Sequence, residues 1–303
     1  MQRFGRSLLA FCIGILSTTA VGCGSNQGCE EYATAYCTRQ VGCSNFWSTI
    51  YASNFETCRS TRVQRCQLNT KSPDTGWTQE AALACSRAIT AESCDDFLLG
   101  VMPTECRPAG KRTAGSPCGD RYQCDGGQCL SSTVASQCGT CTTLPKAGES
   151  CATLKICEDG LQCVGDICQP FRNAGENCSS GDRCKPTLAC MVGTCQNPQQ
   201  GAACNDQNDC SFHQIQYCSG SSFTCEKYPL TVATVNEACG ISFDSETICT
   251  PDAYCRTSSS AAFGVCTKLP TEGQACATSD GLCANPYTCI GGVCKIFDRG
   301  SCK

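Results

Sequence analysis

A four-cysteine frame, written six times, limits what this chain can fold into more than any other feature. Its clearest copy opens at Gly175 and places cysteines at 178, 184, 190 and 195. The frame returns with first cysteines at 118, 151, 178, 204, 239 and 276, a drifting period that reads as a tandem array with insertions in loops. Thirty-six of the 303 residues are cysteine, above the roughly 8–10% that marks a disulfide scaffold. Aromatic residues make up only 7%, so sulfur bridges must do much of what a large apolar core does elsewhere. Bridges at this density persist only in an oxidising compartment. The fold class expected is small and disulfide-rich: a helical N-terminal domain, then six modules of short two-stranded ribbons and loops.

The N-terminus agrees with export. Arg3 and Arg6 precede a short apolar run from Leu8 to Leu16, too short to span a bilayer and typical of a signal peptide. The ending Ala20, Val21, Gly22, Cys23 resembles a bacterial lipobox, which implies lipid attachment at Cys23. Residues 1–22 then form the signal peptide and 23–28 a lipidated tether. Gly24 stands where an Asp would favour inner-membrane retention in families with this signal, so the resemblance points to the outer membrane or cell surface of a Gram-negative bacterium. Removing Cys12 with the leader and Cys23 by acylation leaves an even number of cysteines to pair.

Residues 29–108 read as a helical domain with eight widely spaced cysteines. Tyr32, Ala35, Tyr36, Gln40 and Cys43 fall at steps of three and four, one side of a helix. Asn54 reads as the cap of a second helix, Thr78 as the cap of a third, and Thr90 or Ala91 as the opening of a short fourth that Gly100 and Pro103 stop. If the first two run antiparallel, Cys37 meets Cys66 and Cys43 meets Cys58; Cys85 with Cys94 and Cys29 with Cys106 complete the set. This is one choice among about a hundred connectivities.

Residues 109–303 carry the six modules. A Gly stands three residues before the first cysteine of five of them, at 115, 148, 175, 201 and 273; the remaining module has Asn236. Gly and Asn best tolerate positive φ, so the exchange points to a tight turn entering each module. Leu161, Leu188 and Tyr287, two before a third cysteine, are candidates for the one side chain each module buries. First-to-third and second-to-fourth pairing is expected in three modules: Cys151–Cys163 and Cys157–Cys168, Cys178–Cys190 and Cys184–Cys195, Cys276–Cys289 and Cys283–Cys294. Module one has a fifth cysteine, and Cys302 lies beyond module six, so a bridge between modules is open, as is the pairing of Cys129, Cys138 and Cys141. The array is expected to form a semi-rigid rod or a curve.

The run of Gly, cysteine, five residues, cysteine, then Leu and Gly ahead of the last two cysteines resembles the N-terminal cysteine-rich region of Dickkopf proteins and EB-type modules. The whole arrangement is similar to cysteine-rich lipoproteins of myxobacteria and related soil bacteria. The resemblance implies the scaffold; Dickkopf receptor antagonism has no counterpart in a bacterial envelope.

Chemistry is scarce. Cys138 and Cys141 have the spacing of a redox pair but not its strand–helix context. His213, the single histidine, reads as a surface residue, and no hydrolase constellation can be assembled around it. Asn205 to Asp209 lacks the Gly and Glu of a calcium loop, and Asn177 to Ser179 is a formal sequon without a fitting context. Arg59, Arg62 and Arg65 form a stripe read as a solvated helix face. With net charge −4, the chain does not suit nucleic acid. The expected function is non-enzymatic, without cofactor: a lipid-anchored protein that binds or adheres to a protein or glycan ligand, held to the membrane by its lipid. The alternatives are an inhibitor of secreted hydrolases, resting on loops such as Ser131 to Gln137, and a structural envelope spacer.

Overall fold

The computed structural model describes residues 26–52, 54–131, 137–178, 183–204, 210–241, 245–257, 262–276 and 282–302. The leader and Cys23 lie outside them, as do residues 205–209, 179 and 132–136. Five helices open the fold: α1 (Gln27–Cys43), α2 (Asn45–Tyr51), α3 (Phe55–Lys71), α4 (Gln79–Ala91) and α5 (Cys94–Leu99). Local chemistry sets their limits. Thr78 Oγ1 accepts from Ala81 N at 3.1 Å at the start of α4. Ser93 Oγ accepts from Asp96 N at 3.0 Å at the start of α5, and Gly100, at φ 74°, ends that helix in the left-handed conformation. Two expectations are corrected here. The short helix α2 was not foreseen, and the last helix begins at Cys94 because α4 continues through Ala91.

The helices share one small core of Cys29, Tyr32, Cys66, Trp77, Ala82, Cys85, Ile89, Phe97 and Cys106. Trp77 is its centre, with Tyr32 edge-on at 5.2 Å and its indole N–H donating to Cys66 Sγ at 3.3 Å. At Gly28 the chain passes so close to α4 that a Cβ would stand 2.0 Å from the Gln79 carbonyl oxygen.

The bridges of this domain are Cys29–Cys66, Cys37–Cys58, Cys43–Cys94 and Cys85–Cys106, which replace all four pairs expected from spacing. Helices α1 and α3 do pack through their cysteines, but in a different register. Cys29 and Cys37 lie eight residues apart on α1, and so do Cys58 and Cys66 on α3. Eight residues is about two turns, so each pair shares a helix face and the two bridges clamp the helices at both levels. Helix α2 occupies the connection and leaves Cys43 beyond the start of α3. It therefore reaches Cys94, not Cys58. Cys85 is fully buried within α4 and bonds to Cys106, in the 3₁₀ turn Thr104–Cys106, instead of to Cys94; Cys106 is thereby unavailable to Cys29.

Small antiparallel ribbons follow. Module one has β1 (Pro117–Cys118), β2 (Gln128–Leu130) and β3 (Gly139–Thr142) in the order β1-β3-β2. Modules two, three, four and six are hairpins: β4 (Leu161–Val164) with β5 (Ile167–Pro170), β6 (Ala189–Met191) with β7 (Thr194–Gln196), β8 (Gln216–Cys218) with β9 (Cys225–Lys227), and β15 (Thr288–Ile290) with β16 (Val293–Lys295). Module five expands to five strands, β10 (Leu230–Ala233), β11 (Ala238–Ile241), β12 (Glu246–Cys249), β13 (Ala253–Thr257) and β14 (Phe263–Lys268), with β10 parallel to β12.

One device repeats in every module. The third and fourth cysteines face each other across the hairpin, as Cys163 and Cys168 or Cys190 and Cys195 do, yet they are not joined. The third bonds back to the first and the fourth to the second: Cys151–Cys163 and Cys157–Cys168, Cys178–Cys190 and Cys184–Cys195, Cys276–Cys289 and Cys283–Cys294. Modules four and five follow the same rule, and module one does so with its fifth cysteine, Cys141, in the place of the fourth. Leu161, Leu188 and Tyr287 are only half-buried, so cysteine sulfur is the main buried material of a module.

The entry turn is equally regular. Gly115, Gly148, Gly175, Gly201, Asn236 and Gly273 all have φ between 73° and 86°. The N–H of each donates to the carbonyl of the module's last cysteine, as Gly175 does to Cys195 at 2.7 Å and Asn236 to Cys266 at 2.8 Å. The next residue takes the return bond, Cys195 N to Glu176 O at 2.8 Å. This is the third position of a β-turn that requires positive φ, which explains why only Gly and Asn occur there.

The array does not project as a rod; it curves back around the helices. Module one docks through Tyr122, whose ring lies 4.5 Å from Trp77. Module two places Gly160 against Val101, module three donates from Thr187 N and Oγ1 to Asp95 at 3.0 and 2.6 Å, and module four sets His213 against Ser44. The tail returns to its start, where Cys138 of module one is bonded to Cys302.

Two outcomes check this account. Open space surrounds Gly175, so a substitution there tests backbone conformation alone. Gly175→Val should lower the opening free energy of the Cys195 amide, measured by hydrogen exchange, by about 1–2 kcal/mol, and Gly175→Asn by clearly less. Replacing Cys138 and Cys302 together by Ser should speed exchange across residues 282–302 while α1 and α4 keep their protection. The closed-loop contribution is at most about 5 kcal/mol, because inner bridges shorten the loop.

Candidate functional site

The return of the tail to module one encloses a cleft of about 540 Å³. Its floor is the face of α1 and α3 that carries Tyr32, Tyr36, Arg62 and Arg65. One wall is module one, with Asp120, Arg121 and Tyr122; the other is module six and the tail, with Asn285, Tyr287, Phe297 and Arg299. The Cys138–Cys302 bridge fastens those two walls together.

The site is cationic in an acidic protein. Four arginines, at 62, 65, 121 and 299, line it against the single carboxylate of Asp120. Arg299 is structural: it pairs with Asp120 at 3.3 Å and reaches Asn69 and Ser72 of the helical domain. Arg121 pairs with Asp159 at 3.2 Å. Arg62 lies over the Tyr36 ring, 3.8 Å from its centroid, and Arg65 is exposed. Neither Arg62 nor Arg65 has a carboxylate partner among the described residues. Arg59, the third member of the stripe, is instead held by Glu30 and Glu56. The stripe is thus divided: one arginine braces the helices, and two face the cleft.

The tyrosines add hydroxyl donors. Burial pushes the Tyr32 hydroxyl far above its ordinary range and lifts Tyr122 to about 12, with neighbouring arginines opposing the shift in each case. Both phenols therefore stay protonated at neutral pH. Nothing in the spacing of the cysteines points to this constellation. Its members come from segments more than two hundred residues apart, and only the Arg62–Arg65 stripe was visible beforehand.

Cys138 is bonded to Cys302 and Cys141 to Cys124, so the two do not form a redox pair with each other. Sulfurs such as those of Cys118, Cys124 and Cys141 crowd within 4.8 Å of one another, but each is already spent in a bridge. Every cysteine of the described residues is bridged. Asn205 to Asp209, Ser179 of the formal sequon and the centre of the Ser131 to Gln137 loop lie outside the described residues, as does Cys23.

His213 is not a free surface residue. It is half-buried, its Nδ1 is 3.2 Å from Ser44 Oγ, and Ser44 also caps α2. Burial depresses its pKa, with Asp95 pulling the other way.

This is an extensively disulfide-bonded, cysteine-rich protein with an oxidising, extracytoplasmic home, and among the described residues no helix is long and apolar enough to cross a membrane. No protein-family model, no curated protein and no solved structure matches the chain, so the likeness to Dickkopf and to bacterial lipoproteins stays with its spacing and its N-terminal signal.

A depressed histidine pKa adds stability that is complete above the unfolded value, near 6.5, and is lost as pH falls through the folded value. Thermal unfolding of the wild type should therefore worsen between pH 7.5 and 5 by more than that of His213→Gln. Equal slopes would remove His213 from the interface.

Proposed function

We propose that this chain is a non-enzymatic, lipid-anchored binding protein of the cell envelope, tethered through Cys23 at the outer membrane or cell surface. One observation carries the binding role. A cleft assembled from the helical domain, module one and the tail is fastened by a bridge between residues 164 apart in sequence. A pocket held open by covalent clamps is pre-organised, which lowers the ordering cost of binding. The anchor is supported by the count: bridging every cysteine from Cys29 to Cys302 leaves Cys12 and Cys23, the two that the sequence assigns to leader and lipid.

The curved array favours the cleft over the outer faces of the modules as the seat of the binding role. Modules pointing outward as an adhesion surface would leave the helical domain uncovered, whereas here they pack on it. An envelope spacer gains nothing from folding back on itself. Inhibition of hydrolases draws support from no feature of the described residues.

Expressed in a Gram-negative host with labelled palmitate, the full chain should take up label and sediment with membranes, and Cys23→Ala should do neither. Crosslinking on intact cells should capture material through the wild type and much less through the Cys138→Ser, Cys302→Ser protein. Equal capture by both would move the binding role away from the cleft.

A further inference from the structure

The cleft also constrains its occupant. We infer that it takes an acidic saccharide, a hydroxylated frame bearing two or more carboxylate or sulfate groups; this rests on the binding role proposed above.

Charge comes first. In a chain with more acidic than basic residues, four guanidinium groups gathered around one carboxylate are a local reversal of sign. Two of these groups have no counter-ion among the described residues. An arginine fork presents paired N–H donors matched to a planar or tetrahedral oxyanion, and such charge-assisted bonds are about twice as strong as neutral ones. Arg62 and Arg65 are three residues apart on α3, so they rise on adjacent turns of one face and present two forks side by side. That spacing favours more than one anionic group.

The frame comes from the remaining lining. No protein partner lies within hydrogen-bond distance of the Tyr32, Tyr36 or Tyr122 hydroxyls among the described residues, and burial keeps the first and last of these protonated. Asn285 and Thr288 of module six add amide and hydroxyl groups on the opposite wall. Unspent donors and acceptors of this kind suit hydroxyls, while an aliphatic chain would leave them unpaired at a cost. The volume, about 540 Å³, is far more than a bare sulfate or phosphate fills and lies in the range of small-ligand sites.

The test uses the intact oxidised chain and calorimetric titration with four probes: polygalacturonate oligomers, dextran sulfate, neutral dextran and sodium sulfate. Binding of at least one acidic saccharide is expected, with none for neutral dextran and only weak binding for sulfate alone. Arg62→Gln with Arg65→Gln, which keeps much of each side-chain stem, should weaken the acidic saccharide roughly a hundredfold or more, the scale of two lost charge-assisted contacts. Lys227→Ser with Lys268→Ser removes the same charge from exposed strand ends outside the cleft and should change affinity by less than about twofold. Arg65→Glu, at an exposed position, should abolish binding, and an unchanged disulfide map and thermal transition will show that each variant is folded. Equal losses in the lysine and arginine variants, or equal binding of neutral dextran, would overturn the inference in favour of non-specific charge. If no acidic saccharide binds but crosslinked capture on cells is still lost in the arginine variant, the ligand class is wrong and the binding role stands. If that capture is also unchanged, both fall.

Discussion

In each module two disulfides cross a hairpin whose own facing cysteines stay apart. The choice matters physically. A bond between Cys190 and Cys195 would close a loop of only a few residues and leave the preceding segment untied. Sending each to the far side of the module, at sequence separations of 12 and 11, closes larger loops and pins the lead-in segment against the ribbon. The entropy removed from the unfolded chain grows with loop size, and the lead-in gains the backbone bonds that Gly175 and Glu176 exchange with Cys195. A unit of some twenty-five residues with almost no apolar interior can hold one shape only through such an arrangement.

The same logic operates at the scale of the chain. The helical domain has a single modest core around Trp77, too small to be secure alone, and four bridges reinforce it. The array then covers its flanks. Tyr122 extends the aromatic cluster of the core, and Asp95 and Ser44 receive Thr187 and His213 from modules three and four. The helices serve as the hub of a belt, and the Cys138–Cys302 bridge is its buckle. The cleft exists because the belt closes: its two walls are the first and last parts of the array.

Much of this was legible because it is local. The entry turn is one backbone conformation three residues from a cysteine, and a single exchange of Gly for Asn236 was enough to reveal it. The cap at Thr78 acts within one helical turn. The helical bridges were misread because they depend on the register of two helices, which α2 shifts; its short sequence from Asn45 to Tyr51 has too little periodicity to announce itself. The division of the arginine stripe could not be foreseen either, since whether Arg62 and Arg65 meet solvent or a cleft depends on residues more than two hundred positions away.

By itself, then, the sequence settled the material of this protein: sulfur cross-links in place of a large core, helices before ribbons, and a positive-φ turn opening every module. Those follow from residue chemistry and short spacings, whose interactions reach only a few positions along the chain. The tertiary structure alone decided which helical cysteines meet, that the array bends back on the hub, and that four arginines from distant segments share one cleft. Such outcomes depend on packing between parts that have no fixed distance until the whole chain is folded.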